Sequence, residues 1–206
     1  MLFRSRGATE LCLDIYEDPQ YVHDLLSFIT ETTIKRIQAV RQYLVERGHA
    51  SSEEFAVPGW GFADDAVEML SPAIYREFVL PYHRRLVEAF AGGGPVSMHL
   101  CGDASHMYPV LAEELGANSF DTGFPVDHGA LRRQLGPDIE ILGGPSIMLL
   151  KNGPTEAVAQ ETKRILQSGV TEGKKFILRE GNNVAPGTSL SHLQVMYEAA
   201  KEYGRY

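Results

Sequence analysis

Strand-like apolar runs alternate with helical patterns through most of this chain, and that alternation limits the fold more than any other feature. "PVSMHL" reads as a strand and "ASHMYPVLAEELG" as a helix whose start Pro109 kinks or shifts. "ANSFDTG" is a short strand, "DHGALRRQLG" a short helix and "IEILGG" another strand. "TEAVAQETKRILQSG" is a helix, "KKFILRE" a strand and "SLSHLQVMYEAAKEYG" a closing helix ending at Gly204. With an earlier strand in "FAVPGWGFADD", five strands begin near residues 55, 95, 118, 139 and 175, each followed by a helix. Units of about 30 residues with strands separated by helices imply right-handed crossovers and a parallel sheet.

No "GxGxxG" or "GxxxxGK[ST]" turn follows any of these strands, which removes the usual nucleotide-binding form of a doubly wound sheet. The α/β class that remains is a parallel (β/α)8 barrel, which usually takes roughly 250 residues. At 206 residues, five βα units make an incomplete barrel, short of about three units. The segment "RGATELCLDIYEDP" reads as a connection entering a helix that Asp18 and Pro19 open, with apolar residues from Val22 to Leu44 at three- and four-residue spacing. Another helix starts at "LSP", with Ser71 as N-cap and Pro72 in the first turn. No linker divides the chain, so one domain over residues 1–206 is expected. The opening "MLFRS" joins this pattern abruptly, and residues 1–5 are expected to be non-native.

With 19 Lys+Arg against 27 Asp+Glu, the net charge of −8 disfavours nucleic acid or an anionic membrane surface as partner. No apolar run approaches the roughly 20 residues of a membrane helix and no leader pattern is visible, so the expected location is cytoplasmic. Cys12 and Cys101 are the only cysteines and lie in dissimilar contexts, so no disulfide is expected.

Chemistry-bearing residues collect at strand ends, where barrel active sites are built. In "SMHLCGD", alternation sets Ser97, His99 and Cys101 on one face and Val96, Met98 and Leu100 on the other. Imidazole nitrogen and thiolate sulfur are a zinc-type pair, while a hydrogen-bonded core histidine beside a small buried thiol is the plainer alternative. Asp64 and Asp65 end the first strand and point oppositely, so at most one faces the barrel mouth. Asp103 is expected to cap a loop or helix. Asp121 ends "NSFD" and projects toward the same mouth. Arg179 and Glu180 end the last strand, either pairing with neighbours or binding an anionic substrate group. His23, His83, His106, His128 and His192 fall on helices or loops and are expected to be solvated.

The series "DD", "LSPAIYREFVLPY", "HLCGD", "LGGPS", "NGPTEAV" and "FILREGNNVAPGT" resembles the C-terminal part of the uroporphyrinogen decarboxylase superfamily, from about residue 6 to the end. Its members are (β/α)8 barrels longer than this chain, which implies that an N-terminal third or more of the family domain lies outside it. One branch decarboxylates uroporphyrinogen in porphyrin synthesis without a cofactor. The other moves a methyl group between a corrinoid and a thiol such as coenzyme M, using zinc.

The resemblance implies a metal role for His99 and Cys101, which match the zinc-binding His and Cys of the methyltransferases and are absent from the decarboxylases. It also implies that the zinc lowers the pKa of a thiol, which attacks a methyl-corrinoid, free or carried by a partner protein. Asp64 matches the acidic residue that the decarboxylases place in the substrate pocket. The methyltransferases carry a further Cys in a "GCGxAP"-like loop, where this sequence has Asn182 in "GNNVAPGT". An amide is a poor zinc ligand, so either Asp64, Asp121 or Glu180 completes the site or this branch has different chemistry. Asp64 and Asp121 are thus candidate catalytic residues, and Arg179, Glu180 and Asn182 candidate cofactor contacts. The implied substrates are a small thiol or a tetrapyrrole, with a non-catalytic corrinoid-binding or accessory protein as the third reading.

Overall fold

The structure, a computed structural model, describes residues 6–204. The expectation for residues 1–5 lies outside the described residues. The chain folds as two compact units, one of Met1–Gly61 with Met69–Val96 and one of Phe62–Glu68 with Ser97–Tyr206.

The first unit is helical. "RGATELCLDIYE" is not a connection: Ala8–Glu17 forms helix α1, which buries Leu11 and Ile15. Helix α2, Pro19–Glu46, starts where expected, with Asp18 accepting a hydrogen bond from Tyr21 N and Pro19 in the first turn. Its buried stripe is shorter than the sequence pattern: Val22, Leu26 and Thr30 are covered, whereas Val40 is 52% exposed. The start of "FAVPGWGFADD" is a helix, α3, Ser52–Ala56, because Ser51 and Glu54 form a reciprocal capping box, leaving only Trp60–Ala63 as strand β1. Ser71 caps α4, Pro72–Ile74, which runs through a π-helical turn, Tyr75–Val79, into α5, Leu80–Phe90. Pro81 accounts for the widened turn, since it lacks the N–H that an α-helical bond to residue 77 needs. The Arg41 guanidinium packs over Phe55, Trp60 and Phe90 at 5.2, 5.8 and 5.0 Å from their ring centres.

The second unit carries most of the sheet. Strands β1, β2 (Val96–Leu100), β3 (Ser119–Thr122), β4 (Glu140–Gly143) and β5 (Phe176–Leu178) lie in sequence order. The pairs β2–β3, β3–β4 and β4–β5 are parallel, as the alternation predicts. Helices α6 (Tyr108–Glu113), α7 (His128–Leu135), α8 (Ile147–Asn152), α9 (Thr155–Leu166) and α10 (Leu190–Tyr203) follow or separate the strands. Pro109 does shift α6, which starts only at Tyr108.

One sheet face is fully packed: Met98, Phe120 and Ile141 are 1%, 0% and 0% exposed. Strand register places His99, Asp121, Leu142 and Ile177 in one row on the opposite face. A buried cation ties the far end of the sheet together. Arg132, on α7, donates to the backbone oxygens of Gly136, Ile139, Val170 and Lys175, so one guanidinium joins the connection before β4 to the one before β5.

Two histidines expected in solvent are buried: His83, which pairs with the Tyr75 hydroxyl at 3.0 Å, and His128, beside Thr122 and Phe176. Each helix turns its histidine onto a packed face, where the apolar part of the ring is worth burying. Both cysteines are free, and no described helix is long and apolar enough to cross a membrane.

Candidate functional site

Strand β2 positions the site because its alternate residues have opposite fates. Val96, Met98 and Leu100 are buried, and Ser97, His99 and Cys101 are half-buried on the other side. His99 Nε2 lies 3.1 Å from Cys101 Sγ. The imidazole's other nitrogen meets β3, where His99 is the register partner of Asp121 and Nδ1 lies 2.9 Å from Asp121 Oδ2.

The third side chain comes from the turn after β1. Asp65 Oδ1 accepts the backbone N–H of Cys101 at 2.8 Å and lies 4.0 Å from His99 Nε2. One donor atom from each of Asp65, His99 and Cys101 falls within 4.8 Å of the others, the only such group among the described residues. Asp64 is not in the cluster; its Oδ1 accepts from Ala66 N at the start of the turn. Alternation does not extend past Ala63, because the chain enters a 3-10 turn at Asp65, and that turn carries Asp65 to the Cys101 amide.

Burial and the neighbouring carboxylates, Asp65 first, push the Cys101 thiol up to about 11. Metal-free, it is therefore a protonated thiol at neutral pH, and a cation at the site is what favours the thiolate. Gly102 has φ +77°, and a Cβ there would lie 1.3 Å from Glu68 Oε2, so a carboxylate fills the space a side chain would take. Glu68 escaped the sequence reading; the glycine after Cys101 was its only signal.

The residues at the end of β5 form a hydrogen-bonded brace. Arg179 donates to Asp121 Oδ2 at 3.0 Å, to Glu180 Oε1 at 2.6 Å and to the Asn182 backbone oxygen at 3.3 Å. The Asn182 side chain accepts from Asn183. Asp103 holds the Ser105 hydroxyl and amide, a loop-capping role as expected. A cavity of about 460 Å³ beyond β2, β3 and β4 is lined by Asp103, Phe124, Asp127, His128, Glu161 and Arg164 but by neither His99 nor Cys101. Its size does not make it the chemical centre; the convergence of unlike donors at His99 does.

The donor set fits zinc. Nitrogen, sulfur and carboxylate oxygen are all zinc ligands, and tetrahedral bonds of about 2.0–2.3 Å put neighbouring donors about 3.3–3.8 Å apart. The separations of 3.1 and 4.0 Å bracket that range, within reach of small side-chain rotations.

The family model for uroporphyrinogen decarboxylase (URO-D) matches residues 1–203. The chain belongs to the URO-D family. A methylated-thiol–coenzyme M methyltransferase of Methanosarcina mazei is 35% identical over 136 residues, 65% of this chain and 34% of that protein. A uroporphyrinogen decarboxylase of Myxococcus xanthus is 30% identical over 193 residues, 92% of this chain and 50% of that protein. Among solved structures, a methyltransferase from Methanosarcina mazei matches with a TM-score of 0.71 at 18% identity, covering 97% of this chain and 54% of that one. This URO-D chain thus spans about half the length or less of the curated relatives it matches. The structural likeness shows the fold, and the five-stranded sheet is part of a URO-D-type (β/α) barrel.

Proposed function

We propose that this chain carries the metal-binding part of a methyl-transfer enzyme, which moves a methyl group between a methyl-corrinoid and a small thiol. The observation that carries this reading is the convergence of Asp65, His99 and Cys101. A cofactor-free decarboxylase has no use for a nitrogen–sulfur–oxygen ligand set. The 35% identical relative named as a methylated-thiol–coenzyme M methyltransferase supports the same choice.

Asp65, His99 and Cys101 would hold zinc, with Asp65 supplying the third donor that Asn182 cannot. Bound there, zinc supplies Lewis acidity that makes a thiol nucleophilic at neutral pH. The protein's own contribution is a half-buried face that limits water and a carboxylate on the far side of His99. The corrinoid is free or carried by a partner protein, the setting is cytoplasmic, and residues 1–206 act as one functional domain of a longer barrel. Decarboxylation of uroporphyrinogen is the second reading, favoured by the decarboxylase relative that covers 92% of the chain. Under it Asp64 is the acid facing the tetrapyrrole.

Elemental analysis of the purified chain is the test, with one zinc per chain expected and loss of it in Cys101→Ser. Equal zinc in both proteins overturns the metal assignment. Carbon dioxide released from uroporphyrinogen, without methylation of a thiol by methylcobalamin, selects the second reading.

A further inference from the structure

The His99 ring is engaged at both nitrogens, and its two neighbours differ in kind. Cys101 Sγ, 3.1 Å from Nε2, is a thiol that can donate a hydrogen there. Asp121 Oδ2, 2.9 Å from Nδ1, can only accept when ionised. For a neutral ring both contacts are satisfied together by one arrangement, in which Nδ1 donates to the Asp121 carboxylate and Nε2 keeps the lone pair.

Asp121 is itself constrained. Arg179 Nη1 donates to the same Oδ2 at 3.0 Å, and Arg179 is fixed in turn by Glu180 and the Asn182 carbonyl. The other oxygen, Asp121 Oδ1, is buried and has no hydrogen-bond partner among the described residues. A carboxylate kept for stability alone would not leave a buried oxygen unpaired. One kept to hold a ring in one orientation does not need that oxygen.

We propose that Asp121, clamped by Arg179, is a positioning residue that locks His99 in the Nδ1–H tautomer. Nε2 is thereby presented as a lone pair beside the Cys101 sulfur. Asp121 acts through His99 and touches no reacting atom, which reassigns it from the catalytic role its strand-end position suggested. The consequence for metal affinity rests on the zinc reading above, whereas the tautomer does not.

The test uses the full chain labelled with 15N-histidine and stripped of metal, with the His99 signals assigned by their loss in His99→Gln. Long-range 1H–15N correlations report the tautomer, and Nδ1–H is expected in the unaltered chain. An Nε2–H ring there overturns the proposal whatever any variant does. In Asp121→Ala and Asp121→Asn, the Nδ1–H preference is expected to weaken, and zinc affinity measured against a chromophoric chelator to fall about 10- to 100-fold. An unchanged tautomer with zinc affinity within about twofold of the unaltered chain also overturns it. If the unaltered chain binds zinc no better than Cys101→Ser, the metal reading fails, while the tautomer measurement still decides the role of Asp121.

Discussion

His99 and Asp121 are register partners in adjacent parallel strands, and their side chains meet at 2.9 Å on the face of the sheet opposite Met98 and Phe120. That pairing leaves His99 Nε2 turned to Cys101 and Asp65. Nothing local in either strand specifies it, since it depends on the β2–β3 register.

Asp64 and Asp65 are adjacent but occupy unlike places, and substitution separates them. Asp65→Ala removes an oxygen donor and is expected to lower zinc affinity more than about tenfold. Asp64→Ala deletes a contact within the turn and is expected to leave affinity within about threefold. Chelator competition on both variants checks the order, and the reverse order would place the third donor on Asp64.

Gly102 is predicted to be intolerant of a side chain. Gly102→Ala meets both a backbone at φ +77° and the Glu68 carboxylate, at a cost of about 1–3 kcal/mol. Adding Glu68→Ala removes the clash and leaves the backbone strain, so the double variant should recover part of the lost Tm. Recovery of all of it would mean that the positive φ contributes nothing.

Arg132 holds two loops together through four backbone oxygens with its side chain almost wholly inside the protein. Arg132→Met keeps much of the apolar length and strands those carbonyls, which should cost about 3 kcal/mol or more. The midpoint of urea unfolding measures it. A loss below about 1 kcal/mol would mean that water replaces the guanidinium at little cost.

His128 gives the fold a pH dependence. Burial, then the nearby Arg164 charge, depresses its pKa to about 4, while Glu161 and Asp127 oppose the shift. The unfolded chain, with a histidine near 6.5, takes up a proton first as pH falls. Stability is therefore complete above about pH 6.5 and declines toward pH 4, by up to about 3 kcal/mol. His128→Asn should flatten the difference in unfolding free energy between pH 7 and pH 4.5; an unchanged slope would assign it to other groups.

The fold and the site are legible in the sequence where their causes are local. Strand β2 was legible because Val96, Met98 and Leu100 alternate with Ser97, His99 and Cys101, a pattern that needs no tertiary information. The starts of α2 and α4 were legible because Asp18–Pro19 and Ser71–Pro72 cap locally. Helix α3 was missed because "EFAV" looks apolar enough for a strand, and the capping box outweighed that pattern. Asp65 was hidden because strand alternation cannot say where a strand stops. Arg132 went unnoticed because an arginine on a short helix is ordinarily solvated, and only the folded loops show its carbonyl partners.

Asp65, His99 and Cys101 are proposed to hold one metal ion together. Zinc K-edge X-ray absorption of the zinc-loaded full chain tests it directly. One sulfur at about 2.3 Å with nitrogen and oxygen neighbours at about 2.0–2.2 Å is expected, and Cys101→Ser should remove the sulfur shell. A shell of oxygen and nitrogen alone in the unaltered chain would contradict the claim.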